Sequence, residues 1–296
     1  MFTRPLALAA AAVLATGALA ACSGADASDG RLSVVAAAYP FQWISERVGG
    51  GDVKVTNLVK PGAEPHDLEL TAAQTALIAD AKLVVYLPKF QPAVDEAVTQ
   101  NAKDHAFDVA AVQPLSDIVE DGHAGKDPHV WLDPTRLATI ADQVADRLAK
   151  IDPTHADGYR TRAGALHAEL DAIDKEYAAG LKTCQRTEIV TAHEAFGYLA
   201  ARYHLKQVGI AGLSPDEEPS AQKIAEIISD AKEHKATVIF TEALVSPKVA
   251  ETIANGAGAK TQVLDPIESL PAGSSDDYAK IMRSNLGQIR AALGCS

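Results

Sequence analysis

The chain has 296 residues, and 27 Lys and Arg against 39 Asp and Glu give a formal net charge of −12. That acidic excess leaves no basic footprint for nucleic acid, so no nucleic-acid partner is expected. With 47% hydrophobic and 22% charged residues, the composition is that of a globular chain with a sizeable core. It excludes the disordered, collagen-like and polytopic membrane classes.

The N-terminus opens with one positive charge, Arg4, followed by an alanine-rich apolar run from Pro5 to Ala21 that ends at Cys22. This is the pattern of a secretory signal over residues 1–21, and it is too weakly hydrophobic for a stop-transfer helix. Leu19-Ala20-Ala21-Cys22 resembles a bacterial lipobox, which implies cleavage before Cys22 and a lipid on its thiol. Residues 22–30 are small and polar, the composition of a flexible tether. The chain is therefore expected outside the cytoplasm, held to the cell membrane by its lipid, or in the periplasm. Cys184 and Cys295 remain as an even pair in an exported chain, which favours a disulfide.

From the tether onward, short apolar runs alternate with helical spacing. A strand at 32–37 precedes a helix at 41–48, and a strand at 53–58 precedes a helix at 71–80. A strand at 83–87, a helix at 92–100 and a strand near 106–109 follow. Pro134 to Lys150 reads as a helix. From Pro153 to about Leu181, Leu166, Leu170, Ile173 and Tyr177 recur at helical steps without an internal proline, predicting a helix on the order of 40 Å long. The alternation then restarts: strand 188–191, helix 194–203, strand 207–210, helix 221–233, strand 237–241, helix 247–255 and strand 261–264. A final helix covers 276–293.

The fold class is therefore α/β, with two similar lobes of mainly parallel sheet, at 31–150 and 184–296, joined by one long rigid helix at 151–183. Ligands of such sheets sit beyond the carboxyl ends of the strands, which here face an inter-lobe cleft.

Four residues share that setting. His66 lies in a turn-rich loop after the strand ending near Leu58, and His129 in Asp127-Pro128-His129 ahead of a helix. His193 follows strand 188–191, and Asp265 follows strand 261–264. Three imidazole nitrogens and a carboxylate oxygen fill a tetrahedral Zn²⁺ shell, whereas Mn²⁺ favours a second carboxylate in place of a histidine. His193 is expected at a helix N-terminus, where the dipole keeps its ring neutral. Of the other histidines, His105, His155, His167 and His234 are expected on the surface, and His204 near a helix end.

The segments Pro61-Gly62-Ala63-Glu64-Pro65-His66, His129-Val130-Trp131-Leu132-Asp133-Pro134 and His193-Glu194-Ala195-Phe196-Gly197-Tyr198-Leu199 resemble the ligand segments of one family. It comprises the zinc and manganese substrate-binding lipoproteins of bacterial ABC transporters, ZnuA-like and TroA-like. Phe240-Thr241-Glu242 and Ser246-Pro247-Lys248 match as well. The resemblance implies a monomeric binding protein, not an enzyme, that captures Zn²⁺ and delivers it to a cognate permease. His66, His129, His193 and Asp265 would be the ligands, with Glu64 and Glu242 as acidic groups behind them. Residues 116–127 form a short loop with only His123, unlike the long histidine-rich loop of many zinc-specific relatives. Three alternatives remain: the same fold selective for Mn²⁺ or Fe²⁺, an extracytoplasmic zinc hydrolase with a three-histidine site, and an adhesin or scaffold with an incidental metal site of weak affinity.

Overall fold

A computed structural model describes residues 30–120 and 123–296. The expected signal peptide, Cys22 and all but the last residue of the tether lie outside the described residues, as does the His123 side chain. Residues 31–296 form one compact unit. The described elements are, in chain order, β1 (Leu32–Ala36), α1 (Tyr39–Gly49), β2 (Val53–Asn57), α2 (Ala72–Asp80), β3 (Leu83–Tyr86), α3 (Pro92–Asn101) and β4 (Ala106–Asp108). Next come β5 (Asp117–Glu120), β6 (His123–Lys126), α4 (Pro134–Ile151), α5 (Ala156–Gly180), β7 (Glu188–Thr191), α6 (Gly197–Arg202) and β8 (Lys206–Gly209). The last are α7 (Ala221–Glu233), β9 (Val238–Thr241), α8 (Lys248–Ala257), β10 (Lys260–Val263) and α9 (Tyr278–Leu293).

Two parallel sheets carry the fold, in the orders β2-β1-β3-β4 and β10-β9-β7-β8. The central strands β1, β3, β7 and β9 bury both faces, which is why they read as near-continuous apolar runs, whereas the edge strands β2, β8 and β10 keep exposed polar residues. The two-residue period assigns the faces: Val34 and Ala36 of β1 join the largest core, whereas Val35 joins a smaller one beneath α2 and α3. Val238 and Phe240 of β9 enter the same large core, and Ile239 lies in a third cluster with α7 and α8. The large core runs unbroken through both halves of the chain by way of α1, α4, α5 and α9.

Helix starts are written in side chains. Thr71 and Gln74 form a capping box at α2, and Asp133 caps α4 with Pro134 in the first turn. The helix expected from Pro153 begins as a 3-10 turn over Pro153–His155 and becomes α-helical at Ala156, giving 25 residues, or about 37 Å. Arg162 of α5 donates to the carbonyls of Val48 and Gly49 at the end of α1 and pairs with Asp52 at 2.8 Å. Near its other end, Tyr177 donates to the Met282 carbonyl at 2.6 Å, and Glu176 accepts two bonds from Arg283, both residues of α9. The long helix is thus pinned to elements flanking both sheets.

Two expectations change. Residues 116–127 hold the antiparallel hairpin β5–β6 rather than a loop. The helix expected from Glu194 starts only at Gly197, so His193 lies in a turn ahead of α6 and not at its first residue. No helix among the described residues is long and apolar enough to cross a membrane. The expected disulfide is present, joining Cys184 and Cys295 across 111 residues.

Candidate metal centre

Each histidine is presented by a loop whose geometry is fixed locally. After β2, Gly62 turns the chain at φ +85° and donates its N–H to the Leu270 carbonyl at 2.7 Å; glycine takes that left-handed conformation without the Cβ clash other residues meet. The Glu64 carboxylate accepts from the backbone N–H of His66 at 2.9 Å, closing the turn. After β6, Asp127 Oδ1 accepts from both the backbone N–H of His129 (2.9 Å) and its Nδ1 (2.8 Å). After β7, the His193 carbonyl accepts from Thr191 Oγ1 and Gln207 Nε2, while Glu242 Oε1 lies 2.6 Å from His193 Nδ1. Gly197 supports this wall by having no side chain: a Cβ there would lie 2.7 Å from Asp127 Oδ2.

The three rings meet at a single oxygen. Glu268 Oε1 lies 2.9 Å from His129 Nε2, 3.2 Å from His193 Nε2 and 3.4 Å from His66 Nε2. His129 Nε2 and His193 Nε2 are 3.4 Å apart. His129 and His193 are fully buried, and Glu268 and His66 are nearly so. A tetrahedral ion with bonds of about 2.0–2.1 Å requires ligand atoms about 3.3 Å apart, so the four donors stand at nearly the separations zinc imposes.

Asp265, expected as the fourth donor, is not brought into this group. Its Oδ1 accepts the backbone N–H of Ile267 at 2.8 Å, while Asn285 of α9 clamps its main chain through Asp265 N (3.1 Å) and O (2.7 Å). The reason is backbone direction. Ile267 adopts φ +60°, an outlier for a β-branched residue, and the turn folds the Asp265 carboxylate back on its own loop and carries Glu268 to the histidines. The Glu268 carbonyl in turn accepts from Tyr39 N at 3.2 Å, tying this arm to the first half of the chain.

The electrostatics follow from four buried groups sharing one oxygen. Burial works against charged His129 and His193 rings, but neighbouring carboxylates outweigh it. Asp127 and Glu268 raise the His129 pKa, and Glu242 and Glu268 raise that of His193 well above 6.5. Two carboxylates, rather than the dipole of α6, bear on the His193 ring. His66, with burial dominant, is lowered. Burial favours neutral Glu268, yet the surrounding rings hold its pKa well below the usual carboxylate range. Burial pushes Glu64 up to about 7 and Asp265 to about 6. Both also line a small cavity of about 10 Å³ beside Glu242 and Glu268, which gives the cluster an acidic flank.

The sequence profile of the family described as zinc-uptake complex component A, periplasmic (ZnuA) matches residues 34–292. The chain belongs to the ZnuA family. It is 35% identical over 291 residues to the zinc-binding lipoprotein AdcA of Streptococcus pneumoniae, covering 92% of this chain but only 58% of that relative. With the high-affinity zinc uptake system protein ZnuA of Bacillus subtilis it shares 35% identity over 300 residues, covering 95% of this chain and 93% of the relative. Among solved structures, the Zn(II)-bound ZnuA-like domain of S. pneumoniae AdcA superimposes with a TM-score of 0.77 at 34% identity, covering 89% of this chain and 99% of that one. The laminin-binding adhesin Lmb of Streptococcus agalactiae gives 0.81 at 34% identity, covering 88% and 99%. The α/β fold with parallel sheets and a long helix is thus that of these ZnuA-type neighbours.

Sequence reasoning found the three histidines and Glu242 but gave no role to Glu268 or Asp127. Asp127 carried a signal: an Asp two residues ahead of a histidine, with proline between, is placed to accept both its backbone and ring N–H groups.

Proposed function

We propose that the chain captures Zn²⁺ as cargo through Nε2 of His66, His129 and His193 and a carboxylate oxygen of Glu268, and passes it to an ABC transporter permease. The convergence of three Nε2 atoms on Glu268 Oε1 at 2.9–3.4 Å carries this reading. Three nitrogens and one oxygen are a zinc set, and Mn²⁺ or Fe²⁺ rank lower at such a site. Asp127 and Glu242 hold two rings by Nδ1, leaving each Nε2 turned inward as a ligand requires. A fourth protein donor closes the shell. That argues against the hydrolase alternative, which needs a water on the metal.

Cys22 carries the lipid in this reading, and the chain works as a monomer outside the cytoplasm. Its lobes at 31–150 and 184–296 each supply two ligands, with the helix of 151–183 between them. The names of the AdcA and ZnuA relatives support zinc as the cargo. The test is elemental analysis of the purified chain followed by competition of Zn²⁺ against Mn²⁺ on the metal-free form. One tightly held zinc that excess manganese does not displace is expected; preference for manganese overturns the assignment.

A further inference from the structure

The amino end of the second sheet gathers a separate group of donors. Glu188 opens β7, while Asp230 on α7 and His234, which ends that helix, stand one helical turn apart. Ligand atoms of the three lie within 4.8 Å of one another. His234 Nδ1 is 3.4 Å from Glu188 Oε1 and 3.4 Å from Asp230 Oδ1.

Two oxygens here lack what buried carboxylates need. Glu188 is only 8% exposed, and its Oε1 is buried with no hydrogen-bond partner, as is Asp230 Oδ2. A buried acceptor left unpaired is costly, and each such group calls for an explanation. Lys206 supplies one positive charge, 2.6 Å from Glu188 Oε2 and 3.9 Å from Asp230 Oδ1. One ammonium against two carboxylates leaves the group short of positive charge. Burial and the neighbouring Asp230 push the Glu188 pKa up, as that shortage predicts.

We propose that Glu188 Oε1, the Asp230 carboxylate and an imidazole nitrogen of His234 form a second Zn²⁺ site, with water completing the shell. The donor types are those of zinc, and the partly exposed His234 and Asp230 side chains leave a path from solvent. His234 Nδ1 donates to the Asp230 carbonyl at 3.0 Å, so the ring gives up that bond or presents Nε2 when the ion binds. The site is weaker than the histidine cluster, because Lys206 competes for Glu188 and water screens the rest. It is also independent of that cluster: the two sit at opposite ends of β7, on the order of 15 Å apart along the strand.

The test is calorimetric titration of the metal-free full chain with zinc chloride. Two equivalents are expected, the second weaker, and His234→Ala or Asp230→Asn should each abolish the second while leaving the first unchanged. Lys206→Met should tighten the second by roughly fivefold, since it removes a half-exposed competing cation, an effect with no structural counterpart. A single equivalent in both the parent and Lys206→Met overturns the proposal. So does a second equivalent that survives His234→Ala, or one that Lys206→Met weakens.

Discussion

The indole N–H of Trp131 donates to the Pro266 carbonyl at 2.8 Å, joining a residue two positions after His129 to one two positions before Glu268. The Trp131 carbonyl in turn accepts from the Tyr278 hydroxyl at 2.5 Å. One fully buried side chain thus fixes the spacing between two proposed ligands that stand far apart in sequence. Trp131→Phe keeps most of the ring packing but orphans the Pro266 carbonyl, a loss of about 1–3 kcal/mol in stability. Thermal unfolding and zinc titration of this variant should both show a deficit; unchanged zinc affinity would mean that the arm holding Glu268 needs no such tie.

Ligand substitutions separate Glu268 from Asp265. Glu268→Ala and His193→Ala should each weaken zinc binding by about a hundredfold or more, while Asp127→Asn and Glu242→Gln, which act through a histidine, should cost about 10–100-fold. Asp265→Asn should cost less than any of these, because Asp265 only braces the turn. Competitive titration with a zinc chelator ranks the five variants, and a larger loss for Asp265→Asn than for Glu268→Ala would restore Asp265 as the ligand.

Selectivity should respond to ligand type at one position. His193→Glu replaces a nitrogen with a carboxylate and is expected to lower the preference for Zn²⁺ over Mn²⁺. Titration of each metal on the metal-free variant measures the ratio.

The melting temperature of the metal-free form and the increment that zinc adds to it should change with pH in opposite senses. His129 and His193 bind protons more tightly folded than unfolded, and Glu64 titrates at about 7. Their stabilising protonation is complete below the unfolded values and is lost as pH rises through the raised folded ones. His66 is lowered and acts below 6.5, and Glu268 acts at still lower pH. From about pH 6.5 to 8 the metal-free melting temperature should therefore fall. Zinc must displace those protons, so the rise in melting temperature on adding zinc should grow over the same interval. Melting curves with and without zinc at three pH values decide it.

Reduction of the Cys184–Cys295 bond frees a loop of 111 residues. In the chain-entropy picture this costs up to about 4–5 kcal/mol. Paired Cys→Ser variants should melt lower yet keep the tight zinc equivalent, because the bond precedes β7 whereas His193 follows its far end.

The central strands were legible because burial on both faces makes them short apolar runs bounded by turns, and the long helices because they bury a period-3.6 face. His66 and His193 were legible because parallel strands deliver their loops to one side, and His129 because it sits just ahead of a capped helix start at Asp133-Pro134. Glu268 was not, since its placement depends on Ile267 taking a left-handed backbone that no β-branched side chain advertises. The hairpin at 117–126 also escaped: its residues lack a continuous apolar face and pair chiefly with one another. The start of α6 was misplaced because Glu194 to Phe196 suit a helix, while the His193 turn is held by Gln207 and Thr191 from neighbouring strands.

The long helix α5, pinned to α1 at one end and α9 at the other, has a kinetic consequence. A receptor that must close around its ion loses apparent affinity in proportion to the time it spends open. With α5 tied at both ends, the frame is expected to resist a large closure, so capture should need no rare shape.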